Sequence, residues 1–93
     1  MDDSTELEQL RRQIDDIDDQ ILAIVAERMR VAVRIGELKR KHGVPIYDPD
    51  RERHIFQRLC AKAPKPVSPD MVRRIFERVV DESRRAEQRA SSD

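Results

Sequence analysis

The stretch "AIVAERMRVAV", residues 23–33, places an arginine inside an aliphatic seam. Stepping alternately by three and four residues from Leu7 reaches Leu10, Ile14, Ile17, Ile21, Ile24, Arg28, Val31, Ile35 and Leu38. Every one of these positions is aliphatic except Arg28. Such a stripe predicts a long helix that pairs with another helix along a dry seam. An unpartnered guanidinium in that seam is expensive, because its charge loses water and gains nothing in return. Arg28 therefore meets a carboxylate of the protein, or sets the register of the pairing, or keeps a place for an anion from solution.

Composition narrows the fold. The 93 residues suffice for one small domain, with an ordered core expected over about residues 5–88. A chain that is 41% charged and 3% aromatic, with two glycines and no tryptophan, fits a helical bundle with charged outer faces. The formal net charge is zero, so no overall basic field draws the chain to nucleic acid. The longest wholly apolar run, Ile21 to Ala26, is too short to cross a bilayer, and no signal-peptide pattern opens the sequence. The lone Cys60 has no intrachain disulfide partner, which points to a reducing, cytoplasmic setting.

Three helices are expected, one long and two shorter, in an all-α fold. The first spans about Thr5 to His42, with Gly43 placed for a left-handed cap and Lys39, Arg40, Lys41 and His42 at the negative end of the helix dipole. Asp48, Pro49 and the acidic residues that follow read as the start of the second helix, whose apolar face holds Ile55, Phe56 and Leu59. Ser68-Pro69-Asp70 repeats that start signal, and the third helix carries Val72, Ile75, Phe76, Val79 and Val80 on one side. Residues 1–4 and the closing "ASSD" are expected to fray. A first helix of about 38 residues is roughly 57 Å long, against roughly 30 Å for a compact domain of this size. A second copy of the chain is the natural cover for its seam, giving an intertwined homodimer with the long helices side by side.

Polar residues interrupt the buried faces at recurring places. Lys39 follows Arg28 by eleven residues, close to three turns, and so projects from about the same face. Arg11 flanks the seam but lies roughly 25 Å from Arg28 along one helix. In an antiparallel pair centred near residues 21–23, the partner's Arg11 would approach Arg28 and Lys39. On the third helix the apolar row Val72, Phe76, Val79 runs into Ser83 and Glu87. The second helix opens with Asp48, Arg51 and Glu52. Each residue also has a plain structural explanation. Lys39 and Arg11 suit a solvated flank, Asp48 suits a helix cap, and Arg51 would serve as a surface partner for Asp48 or Asp50. Ser83 bonds back to its own helix, and Glu87 sits near a fraying end. His42 and His54 have no companions at metal-binding spacing. The combination points to a pocket with cationic and hydrogen-bonding walls.

The stretches "LRRQIDDIDDQILAIVAERMRVAVRIGELK", "PIYDPDRERHIFQRL" and "FERVVDES" resemble the small all-helical chorismate mutases, the AroQ class. The resemblance runs from about Leu7 to Glu87. It implies an intertwined dimer of three-helix chains that converts chorismate to prephenate by a [3,3] rearrangement, with no metal or cofactor. It further implies a site built from Arg28, Lys39, Asp48, Glu52, Ser83 and Glu87 of one chain, with Arg51 in support and Arg11 supplied by the partner. Arg11 and Arg28 would clamp the two carboxylates of chorismate, and Lys39 with residue 87 would donate to the ether oxygen as its bond breaks. Glu52 and the backbone near Asp48 would hold the ring hydroxyl, and Ser83 would assist one carboxylate.

Many bacterial members carry glutamine four residues after the serine, where this chain has Glu87; Gln88, one step further, is rotated off that face. A glutamate donates only when protonated, so activity is expected to favour acidic pH. Isochorismate-pyruvate lyases share the scaffold, an amino-substituted chorismate would differ only in its ring contacts, and a non-catalytic dimeric regulatory module is the reading from another class. A further enzyme of the same pathway as binding partner stays open on the sequence.

Overall fold

A computed structural model of the chain describes residues 3–92. Three helices follow one another: α1 (Asp3–His42), α2 (Pro49–Ala61) and α3 (Pro69–Ser92). The all-α expectation holds, and α2 and α3 start at the signals read from the sequence. Asp48 caps α2, its Oδ1 accepting from the Arg51 amide at 3.0 Å with Pro49 in the first turn. Ser68 Oγ accepts from the Met71 amide at 3.2 Å ahead of α3. Gly43 ends α1 at φ 67°, a conformation that favours a residue without a Cβ. The outer helices run further than expected: α1 includes Asp3 and Ser4, and α3 continues to Ser92. Of the flanks expected to fray, residues 1, 2 and 93 lie outside the described residues.

α3 packs against both other helices. Contacts with α1 ascend together along the two chains, from Arg28 with Ser83 to Lys39 with Glu87, so α1 and α3 run in the same sense. Contacts with α2 run oppositely, from Glu52 with Arg84 to Cys60 with Pro69, so α2 returns antiparallel. The small core holds Ala32, Ile55, Val72 and Val80. Of the apolar face expected on α3, Ile75 is 53% exposed, because that flank of the helix turns away from both neighbours.

The face that α1 gives to α3 is not its aliphatic seam. Its buried residues are Ala32 and Gly36, which lie about 40° and 80° around the helix from Arg28. The seam itself stays uncovered: Ile14 is 56% exposed, Ile21 54%, Ile24 65% and Val31 56%. The molecule measures 62 × 28 × 14 Å, with a radius of gyration of 17.4 Å. A compact chain of this length would reach about 12 Å. The N-terminal half of α1 therefore projects as a rod with an apolar stripe.

Gly36 decides how closely α1 and α3 approach. A Cβ built there would lie 2.4 Å from the carbonyl oxygen of Glu87 and 2.8 Å from its Cα. These are backbone atoms, so a methyl group forces the helices apart. Gly36→Ala is expected to lower the unfolding free energy by about 1–3 kcal/mol, read from the midpoint of urea denaturation followed by circular dichroism.

Candidate active site

Near the close approach at Gly36 lies a cavity of about 350 Å³, between α1, the start of α2 and residues 80–87 of α3. Arg28, Lys39, Asp48, Arg51, Glu52, Ser83 and Glu87 all line it. Those residues come from three separate segments, which the fold brings to one cavity. Arg11 is elsewhere. It sits on the projecting half of α1, 66% exposed, paired with Glu8 Oε1 at 3.0 Å.

Lys39 is neither solvated nor unpaired. Its Nζ donates to Glu87 Oε1 at 2.8 Å and to the Ile46 carbonyl at 3.0 Å, with side-chain exposures of 20% for Lys39 and 15% for Glu87. An ammonium has three protons. Two are committed, so the third is oriented by the two contacts and has no partner among the described residues. Glu87 is held inside the bundle, five residues short of the described end of α3.

Arg28 has no such counter-charge. Among the described residues it forms no ion pair, and its guanidinium donates to Ser83 Oγ. Ser83 is buried, and its own proton goes to the Val79 carbonyl at 2.8 Å, one turn back on α3. That back-bond turns a lone pair of Ser83 toward Arg28, so the structural explanation of Ser83 and its place in the cavity wall are the same arrangement. Burial lowers the Arg28 pKa from its ordinary value, the neighbouring positive charge of Arg51 lowers it further, and Glu87 acts in the opposite direction. The cause is desolvation of a cation that has been left short of negative charge. A dianion entering the cavity would supply what is missing.

The acidic cavity residues Asp48 and Glu52, at the start of α2, are already engaged. Asp48 caps its helix through its carboxylate. Glu52 is held by Arg84, a residue that the spacing argument passed over. Arg84 donates through Nε and Nη2 at 2.8–3.0 Å, and its guanidinium lies 5.3 Å over the Tyr47 ring. The Glu52 hydrogen bonds and charge raise the Arg84 pKa despite partial burial. A signal for Arg84 exists in the sequence: it follows the apolar Phe76 and Val80 at spacings of four, so it interrupts a buried row as Arg28 does. What spacing does not show is that Arg84 meets Glu52, 32 residues away.

Comparison with known proteins agrees with this architecture. Residues 10–88 match the family model described as chorismate mutase type II. Over 54 residues, 58% of this chain, the sequence is 50% identical to a bifunctional chorismate mutase/prephenate dehydratase of Aquifex aeolicus. The match spans only 15% of that longer relative. The structure resembles chorismate mutase (form II) from Thermus thermophilus with a TM-score of 0.88 at 32% identity, covering 90% of this chain and 96% of that one. It also resembles the chorismate mutase of Helicobacter pylori in complex with prephenate, with a TM-score of 0.87 at 28% identity over 96% and 97% of the two chains. No helix among the described residues is long and apolar enough to cross a membrane. With its three helices, its cavity and 79 consecutive residues under one family model, the chain belongs to the type II chorismate mutase family.

Proposed function

We propose that this chain is a chorismate mutase, converting chorismate to prephenate in the cavity beside Arg28. The observation that carries the reading is the half-buried Arg28 guanidinium with a hydroxyl, and no carboxylate, as its hydrogen-bond partner. Chorismate carries two carboxylates, and Arg28 binds one of them, assisted by Ser83. The second needs another cation. Arg51 lines the same cavity, and Arg11 of a second copy completes the clamp in a homodimer. The exposed seam from Leu7 to Leu38 is the surface that such a copy would cover, which also accounts for a chain too elongated to bury its own apolar residues. The whole chain acts as one domain of this kind, working in the cytoplasm.

The reaction breaks an ether C–O bond while a C–C bond forms within the same molecule. Clamping both carboxylates favours the folded conformer in which the reacting carbons meet. Negative charge grows on the ether oxygen as its bond breaks, and the third proton of Lys39 would meet it. An aligned donor of this kind contributes about 3–4 kcal/mol to lowering the barrier. Glu87 meets the same oxygen only as a carboxylic acid, since a carboxylate would repel the developing charge. A carboxyl group gains its proton as pH falls, so turnover is expected to rise in the same direction.

Chorismate consumption at about pH 5 and pH 8, with products identified, is the direct test. Prephenate should form faster at the lower pH, and Glu87→Gln, a donor at every pH, should flatten the profile. A Glu87→Gln enzyme with the wild-type profile would remove Glu87 from the scheme, and pyruvate release from isochorismate without prephenate formation would favour a lyase. Arg28→Met should abolish turnover without lowering the stability of the fold, because it removes a desolvated cation. A drop in the denaturation midpoint would instead assign Arg28 to the architecture. Finally, Arg11→Ala and Arg28→Ala should each be inactive. Refolded together in equal amounts, they should recover roughly a quarter of wild-type activity, because a two-fold dimer of one copy of each has one intact site.

A further inference from the structure

Glu52 is the carboxylate that would receive the ring hydroxyl of chorismate, and its two oxygens are not equivalent. Oε2 accepts from Arg84 Nε at 3.0 Å and from Nη2 at 2.8 Å, whereas Oε1 accepts from Nη2 alone at 2.8 Å. A carboxylate oxygen offers two lone pairs. Oε2 is thus filled from the protein side, and Oε1 keeps one acceptor site. The guanidinium is held in this pose from other directions as well. Its Nη1 reaches Asp81 at 3.4 Å, and its face lies over Tyr47 in the α1–α2 connection. Both Arg84 and Glu52 line the cavity.

Resting on the activity proposed above, we propose that Arg84 sets which ring substituent the site accepts. By neutralising Glu52 through a two-pronged pair, it leaves a single acceptor at Oε1 that takes a neutral hydroxyl and disfavours a cationic amino group. A solitary carboxylate would do the reverse, since Coulomb attraction favours an ammonium over a hydroxyl. Beside Arg84, an ammonium at Oε1 shares its oxygen with the donating Nη2 and meets a fixed like charge within hydrogen-bonding reach of the same carboxylate. A hydroxyl incurs no such repulsion and uses the lone pair left open. Arg84 acts through Glu52, so it is a positioning residue for specificity.

The test compares kcat/KM for chorismate and for 4-amino-4-deoxychorismate near pH 7, where the amino group is protonated, in wild type, Arg84→Met and Arg84→Lys. Methionine keeps an apolar stem in the packing and removes the charge. Wild type should prefer the hydroxyl substrate, and Arg84→Met should move the ratio toward the amino substrate by roughly tenfold or more. Arg84→Lys keeps a charge beside Glu52 and should stay near the wild-type ratio. If Arg84→Met is too unstable to assay, Arg84→Gln carries the same expectation. An unchanged ratio in the uncharged variants, or equal losses on both substrates, would overturn the specificity role while leaving the mutase activity standing. A wild-type protein that forms no prephenate would overturn the activity and the specificity role together.

Discussion

Two backbones meet at Gly36 and Glu87 with no room for a methyl group between them, and the site hangs on that contact. It fixes the height of α3 on α1. Lys39, one turn beyond Gly36, then falls beside the Glu87 side chain, and Arg28, two turns before it, falls beside Ser83. The same approach distance leaves a gap on one flank of the crossing, which the start of α2 closes. A larger residue at position 36 would separate the donors from the acceptors before it touched any of them. Shape at the backbone level comes first here, and electrostatics is arranged upon it.

The charges in the cavity divide into paired and unpaired sets. Lys39 with Glu87 and Arg84 with Glu52 are ion pairs, and each pair holds its members in one orientation. Arg28 and Arg51 line the same space and, among the described residues, neither is in an ion pair. Burial of an unpaired cation opposes folding, yet the fold places Arg28 beside a serine hydroxyl and another arginine, with Glu87 as its one opposing charge nearby among the described residues. Glu87 offsets part of that cost, and a negative ligand would offset more, which would set stability of the empty protein against affinity for a dianion at this residue. Lys39 presents the complementary logic. Its two internal contacts aim the remaining proton and leave it open to a ligand.

The long helix serves two surfaces at once. Ala32 and Gly36 form a row of small residues for α3, and the heptad seam lies to one side of it. Only the first surface is covered within one chain. The second runs the length of a rod that extends well beyond the other helices, with large aliphatic side chains around half exposed. A stripe of that length in water is a strong drive toward association. Arg28 lies near the boundary of the two surfaces, within reach of α3 and of whatever covers the seam.

Much of this was legible in the sequence because local rules act locally. Three helices, their caps at Asp48, Ser68 and Gly43, and the anomaly of Arg28 follow from periodicity and turn chemistry. Spacing along each helix also marked Lys39, Ser83 and Glu87 as polar residues on buried faces. Other features depend on the distance between elements, which no spacing within one element records. Position 36 reads as a weak helix residue until α3 is laid against it. Arg84 reads as an arginine at the end of an apolar row, with no partner in view, until Glu52 is seen 32 residues away. Sequence alone determined which residues could face a common interior, since helical phase is a property of the chain. Only tertiary structure decided which of them meet and which charges remain without a partner, because both depend on how closely the helices pack.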